Sequence, residues 1–204
     1  MITPTHHLQL PDADLLYVEH FIDQQQATQL FTHLANPHHI KWRQDTITLF
    51  GKPVLTPRLS AWYGIQGAVY TYSGLTLHPH PLTPTLLNIK QQIEQFAPHT
   101  QFNSVLLNFY RNGADSMGWH ADDEPELGKN PVIASVNLGA TRRFLLRHTK
   151  NKHIKHEIAL HHGSLLLMQG TTQHYWQHAI PKTAKPTNAR INLTFRYILP
   201  IKNK

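Results

Sequence analysis

The 204-residue chain carries 19 Lys and Arg against 12 Asp and Glu, a formal charge of +7, and 40% of its residues are apolar. That is enough chain for one well-buried domain, the apolar share argues against disorder, and the basic balance suits a partner carrying negative charge. The absence of cysteine excludes disulfide scaffolds, cysteinyl zinc, iron–sulfur clusters and thiol nucleophiles. No apolar run approaches the ~20 residues of a membrane span, and the start Met1-Ile2-Thr3-Pro4-Thr5-His6-His7 lacks the pattern of a signal peptide. The expectation is a single cytoplasmic domain over residues 1–204, monomeric and away from any membrane.

Along the chain, Asp23 precedes Ala27, Leu30, Phe31 and Leu34, the spacing of a helix with one buried face, which Asn36-Pro37 should end. Thr83-Pro84 reads as an N-cap followed by a first-turn proline, and Leu86, Ile89, Ile93 and Phe96 mark a second helix stopped near Pro98. Strand-like pieces occur before it at 45–50 and 59–63. After Phe102 the apolar residues alternate or run continuously, predicting strands over 104–110, 131–138, 143–148, 155–160, 164–168 and 189–199. This pattern predicts an α+β, β-rich fold with a sandwich or barrel core in 101–204 and a flanking layer in 1–100.

The last strand is the most informative. In Arg190-Ile191-Asn192-Leu193-Thr194-Phe195-Arg196-Tyr197, alternation puts Arg190, Asn192, Thr194 and Arg196 on one face. A water-facing edge strand accounts for that pattern, and so does a strand lining a cavity for a small anion. The arginines are six residues apart, roughly 20 Å along an extended strand, which suits them to opposite ends of a dianion. In the strand 104–110, Asn108 and Tyr110 likewise share a face.

Seventeen histidines make chance pairs at metal-ligand spacing inevitable, His6-His7, His38-His39 and His161-His162 among them. His120-Ala121-Asp122 is the one His-x-Asp in the chain. With a distant second histidine it would complete a 2-His-1-carboxylate facial set, which leaves adjacent positions open on a non-haem Fe(II). The competing reading is a turn with a solvated carboxylate. His174 and His178 are spaced as in a zinc-protease helix, but Tyr175 stands where such a site needs Glu, and Pro181 and the β-prone surroundings argue against a helix.

Taken together, His120-x-Asp122, His178 and Arg190-x-Asn192-Leu193-Thr194-Phe195-Arg196 resemble the AlkB family of Fe(II)- and 2-oxoglutarate-dependent dioxygenases. So do the segments beginning at Asn108, Ala134, His162 and Trp176, which fall in the family's order from about Asp45 to Pro200. The resemblance implies a double-stranded β-helix, or jelly roll, with Fe(II), 2-oxoglutarate and O2 as the cofactor and co-substrates. It implies that His120, Asp122 and His178 are the catalytic metal ligands. Arg190, Tyr110 and Asn108 would bind the distal carboxylate of 2-oxoglutarate, Arg196 would sit near its other carboxylate, and Asn192 would line the same pocket. A guanidinium fork matches the two oxygens of a carboxylate.

The resemblance further implies a partner, DNA bearing 1-methyladenine or 3-methylcytosine, or RNA, from which the methyl group leaves as formaldehyde. Tyr70, Tyr72 and Ser73 would lie where an aromatic ring stacks on the flipped base, and Asp123 and Glu124 would face its amino edge. Arg58 would lie near the flipped nucleotide, and Phe50 would wedge into the stack unless it is an ordinary core aromatic. Leu49-Phe50-Gly51-Lys52 is similar to the duplex-acting branch, whereas 57–64, Arg142 and Gln173 through His178 are similar to the branch acting on single strands and RNA. The alternatives are a related dioxygenase acting on RNA or protein, and a non-catalytic basic β-domain that binds nucleic acid.

Overall fold

The computed structural model describes residues 5–49, 51–68, 70–72 and 75–200, with backbone only at 49, 70–72 and 75–77. The chain opens with β1 (Thr5–Leu8), β2 (Asp14–Val18) and α1 (Gln24–Ala35). A hairpin of β3 (Thr46–Leu49) and β4 (Lys52–Leu55) leads to β5 (Leu59–Gly64). A second hairpin, β6 (Tyr70–Tyr72) with β7 (Leu75–Leu77), precedes the short β8 (His80–Pro81) and α2 (Pro84–Glu94). Strands then dominate: β9 (Ser104–Tyr110), β10 (Met117–His120), β11 (Ile133–Gly139), β12 (Arg142–His148), β13 (Lys155–Leu160) and β14 (Ser164–Gln169). A single-turn α3 (Thr172–Tyr175), β15 (Trp176–Ile180) and β16 (Arg190–Arg196) follow.

Both long helices start where their caps require. Asp23 Oδ1 accepts from the Gln26 amide at 3.0 Å and Thr83 Oγ1 from the Leu86 amide at 3.3 Å; a cap of this kind contributes about 1 kcal/mol. The strands form an eight-stranded sheet, β1-β2-β14-β11-β16-β9-β5-β8, and a four-stranded sheet, β10-β15-β12-β13. All pairings are antiparallel except β5 with β8.

Three layers result. Leu34, Leu86, Ile89 and Ile93 of the helices pack on Val105, Leu107, Val136, Leu165, Leu193 and Phe195 from one face of the large sheet. Its other face meets the small sheet through Leu106, Ile133, Leu166, Phe144, Leu146, Trp176 and Ile180. The jelly roll is this pair of sheets. The first hundred residues do more than flank the core: β2 and β5 are hydrogen-bonded inside the large sheet, beside β14 and β9.

The position of β16 decides between the two readings of its alternation. It lies between β9 and β11, and all seven of its residues are buried. It is therefore no edge strand. Ile191, Leu193 and Phe195 join the helix-side core, so the polar residues Arg190, Asn192, Thr194 and Arg196 turn into the space between the sheets, where all four line one cavity. Full burial of Phe195 contributes on the order of 2–3 kcal/mol, which holds the polar face in place.

Candidate active site

Antiparallel register brings the distant histidines together. β10 pairs with β15 so that His120 lies opposite His178, 58 residues on. Their rings are 4.2 Å apart, and Asp122 follows directly after β10. One ligand atom from each of His120, Asp122 and His178 lies within 4.8 Å of the others. Asp122 is 2% exposed, which removes the reading of a turn with a solvated carboxylate. His174 ends up in α3 and His178 in β15, so the two do not share a helix.

The protonation of each group suits a divalent metal. His120 Nδ1 is 2.8 Å from the Gly118 carbonyl. A carbonyl only accepts, so Nδ1 carries a proton toward it, which leaves Nε2 as the ring nitrogen available to a metal. Burial, aided by His120 and Arg196 and opposed by Asp122, lowers the His178 imidazole to about 3, so it is neutral. Burial alone would raise the Asp122 carboxyl, but the charges of Arg196, His178 and His120 and the Arg196 hydrogen bond more than offset it, and it stays ionised. Two imidazoles and one carboxylate, brought within reach of one another, fit Fe(II) in donor type and number. Arg196 Nη2 donates to Asp122 Oδ1 at 2.5 Å, while Oδ2 faces His178 Nε2 at 3.8 Å. The buried ion pair thus fixes the carboxylate and leaves its second oxygen toward the histidines.

The cavity continues from the triad past Asn192 and Thr194 to Arg190, Asn108 and Tyr110. Arg190 is 1% exposed and stands 5.0 Å over the Tyr110 ring. Its Nη2 donates to Asn137 Oδ1 at 2.6 Å, while Nε and Nη1 are buried without a hydrogen-bond partner among the described residues. Burial lowers this guanidinium to about 10 against the favourable influence of Tyr110. A buried cation with unused donors is costly unless an anion arrives. The cavity therefore has one end with a donor set that could hold a metal and one end whose chemistry suits a carboxylate.

Arg58 is buried rather than on an open nucleotide-facing surface, and its Nε donates to Asn108 Oδ1 at 2.8 Å. It thereby orients a cavity residue. Asp123 is exposed and Glu124 half-buried, immediately after Asp122. Phe50 and Ser73 lie outside the described residues, and Tyr70 and Tyr72 are described in backbone only, in β6.

Other side chains complete the site without having been singled out as site residues from sequence. Gln173, 2% exposed, accepts from the Asp122 amide at 2.9 Å through Oε1. Phe144 stacks on His178 at 5.0 Å, and Arg142 ties the carbonyls of Asn112, Asp115 and Pro181 together beside Tyr110. A glutamine after paired threonines carries no sequence signal for this role. Phe144 lies in the strand expected over 143–148.

A jelly roll whose two sheets enclose a His-x-Asp…His set and a buried arginine defines the class of 2-oxo-acid-dependent, non-haem iron oxygenases. The family model for the 2OG-Fe(II) oxygenase superfamily matches residues 14–196. The chain is 44% identical over 191 residues to alpha-ketoglutarate-dependent dioxygenase alkB homolog 3 of Bos taurus, covering 88% of this chain and 64% of that one. It is 37% identical over 212 residues to DNA oxidative demethylase ALKBH2 of Arabidopsis thaliana, covering 92% and 67%. ALKBH2 of Mus musculus is 42% identical over 163 residues, covering 76% and 68%. The solved structure of OsALKBH1 shares the fold, with a TM-score of 0.65 at 15% identity over 95% of this chain and 100% of that one. The protein belongs to the AlkB family within the 2OG-Fe(II) oxygenase superfamily, and it spans about 64% of the length of the alkB homolog 3 relatives.

Proposed function

We propose that this protein demethylates N-alkylated bases, 1-methyladenine and 3-methylcytosine, in DNA, as a monomer inside the cell. The observation that carries the reading is a cavity that joins the His120–Asp122–His178 set to the partly unsatisfied guanidinium of Arg190. The demethylase names of relatives at about 40% identity support the substrate class. Net charge of +7 suits a phosphate backbone.

His120, Asp122 and His178 would hold Fe(II). Arg190, with Tyr110 and Asn108, would bind the distal carboxylate of 2-oxoglutarate. Asn192 lines the same cavity, and Arg196 would lie near the keto-acid end. Bound Fe(II), with O2 and 2-oxoglutarate, supplies the two-electron oxidation that hydroxylates the N-methyl carbon and yields succinate and CO2. The hemiaminal left on the base releases formaldehyde and restores the unmodified ring nitrogen.

The chain's own work is positional. Arg196 keeps Asp122 ionised and aimed, the Gly118 carbonyl sets the His120 tautomer, and Phe144 and Met168 line the cavity with apolar surface. Asp123 and Glu124, which follow Asp122 in sequence, would meet the amino edge of a flipped base, and Tyr72 would be its stacking partner. Arg58 acts through Asn108. A panel of oligonucleotides carrying 1-methyladenine or 3-methylcytosine, as DNA or RNA and in single or double strands, tests the proposal by mass spectrometry. Loss of the mass of one methylene, with equimolar formaldehyde and succinate, is expected on DNA. Turnover confined to RNA selects the sister activity, and none on any methylated base ends the proposal.

A further inference from the structure

Asn137 is a polar side chain in a strand whose neighbours Ala134, Val136 and Leu138 belong to the helix-side core. It is 1% exposed, so its amide must be satisfied inside the protein. Register places it opposite Asn192 and Ser164 and brings Ser135 opposite Thr194, which puts Ser135 and Asn137 on the polar side of the sheet.

The amide has one tenable orientation. Nδ2 faces three acceptors: the Ser135 carbonyl at 3.1 Å, the Ser164 carbonyl at 3.4 Å and Ser164 Oγ at 3.2 Å. The Ser164 hydroxyl spends its own proton on the His161 carbonyl at 2.7 Å, so it accepts from Asn137. A flipped amide would set oxygen against two carbonyls. Oδ1 therefore points at Arg190 Nη2, 2.6 Å away, with Asn192 Nδ2 at 3.4 Å.

We propose that Asn137 is the positioning residue that sets co-substrate specificity: it locks Arg190 with a neutral acceptor, so the guanidinium keeps its full charge for the distal carboxylate of the 2-oxo acid. This rests on the reading of Arg190 as the carboxylate-binding residue. The choice of amide over carboxylate carries the argument. A carboxylate at 137 would hold Arg190 equally well but would neutralise it. With the amide, Tyr110 favours the charge of Arg190 and Arg142 opposes it, no carboxylate acts on it among the described residues, and Nε and Nη1 have no hydrogen-bond partner there.

The test compares 2-oxoglutarate with 2-oxopentanoate, the same five-carbon keto acid without the distal carboxylate. Kd for each is read by tryptophan fluorescence with Mn(II) in place of iron, in the native protein, Asn137→Asp, Asn137→Ala and Arg190→Met. The readout is the ratio of the two affinities, which a general loss of folded protein does not move. The native protein should prefer 2-oxoglutarate about 100-fold or more, as a charge-assisted pair provides. Asn137→Asp should cut that preference by about 30-fold and Asn137→Ala by about 3- to 10-fold, on the scale of a lost ion pair and a lost orienting bond. Asp and Ala variants that keep the native ratio while Arg190→Met loses it overturn the inference and leave the reading of Arg190 standing. A native ratio in Arg190→Met overturns that reading, and the inference with it.

Discussion

Replacing Arg190 by Met separates a binding group from a structural one. The guanidinium is 1% exposed, and burial lowers it from the ordinary arginine range to about 10. That shift corresponds to roughly 3 kcal/mol against the charged form. Methionine has a similar length and removes this cost, but it also removes the Asn137 bond at 2.6 Å, a charge-assisted contact of about 1.5–3 kcal/mol. The two nearly cancel, so the variant without co-substrate should unfold in urea within about 1 kcal/mol of the native protein. Co-substrate should then distinguish them: at 100 times its Kd, 2-oxoglutarate with Mn(II) adds about 2.7 kcal/mol to the native protein. At that concentration it should add nothing measurable to Arg190→Met. A variant that loses more than ~3 kcal/mol on its own marks Arg190 as a structural residue, and one that keeps the ligand-induced gain refutes its role in binding.

Three further predictions concern the frame of the site. Burial pushes the Asp115 carboxyl up, but the Arg111 side-chain and backbone donors and the charges of Arg111 and Arg142 hold it below the usual range. The folded value lies below the unfolded one, so its stabilisation is complete above pH ~4 and disappears as pH falls through the folded value. Asp115→Asn should therefore be less stable than the native protein at neutral pH, with the gap closing in strong acid; a gap that widens there contradicts the assignment. Gly139 has φ of +89°, and a Cβ there would meet the Ala189 carbonyl and come within 2.8 Å of the Phe31 ring. Gly139→Ala should cost about 3 kcal/mol or more in chemical denaturation; a loss under 1 kcal/mol would mean that the β11–β12 turn yields easily. Gln173→Ala removes the partner of the Asp122 amide and should weaken Mn(II) binding about 10-fold, with selectivity between the two keto acids unchanged.

The sequence made the polar face of β16 legible because alternation is local. Whether that face met water or a cavity depended on β9 and β11, which no local pattern specifies, and both readings stood until those neighbours were seen. The two capped helices were legible for the same local reason. β10 and β15 were not read as strands. β10 contains Gly118 and covers only four residues, and Pro181 follows directly on β15. Yet these strands bring His120 to His178 through cross-strand register. β1 and β2 escaped for want of length. Asn137 and Gln173 escaped because each acts through a contact 51 or 53 residues away in sequence.

The most direct measurement is the stoichiometry and affinity of Mn(II) binding, followed by electron paramagnetic resonance in the native protein and in Asp122→Ala. The account predicts one ion per chain, bound more tightly once 2-oxoglutarate is present, and an affinity at least about 100-fold weaker in the variant. Equal binding in both proteins, or an ion indifferent to 2-oxoglutarate, would contradict it.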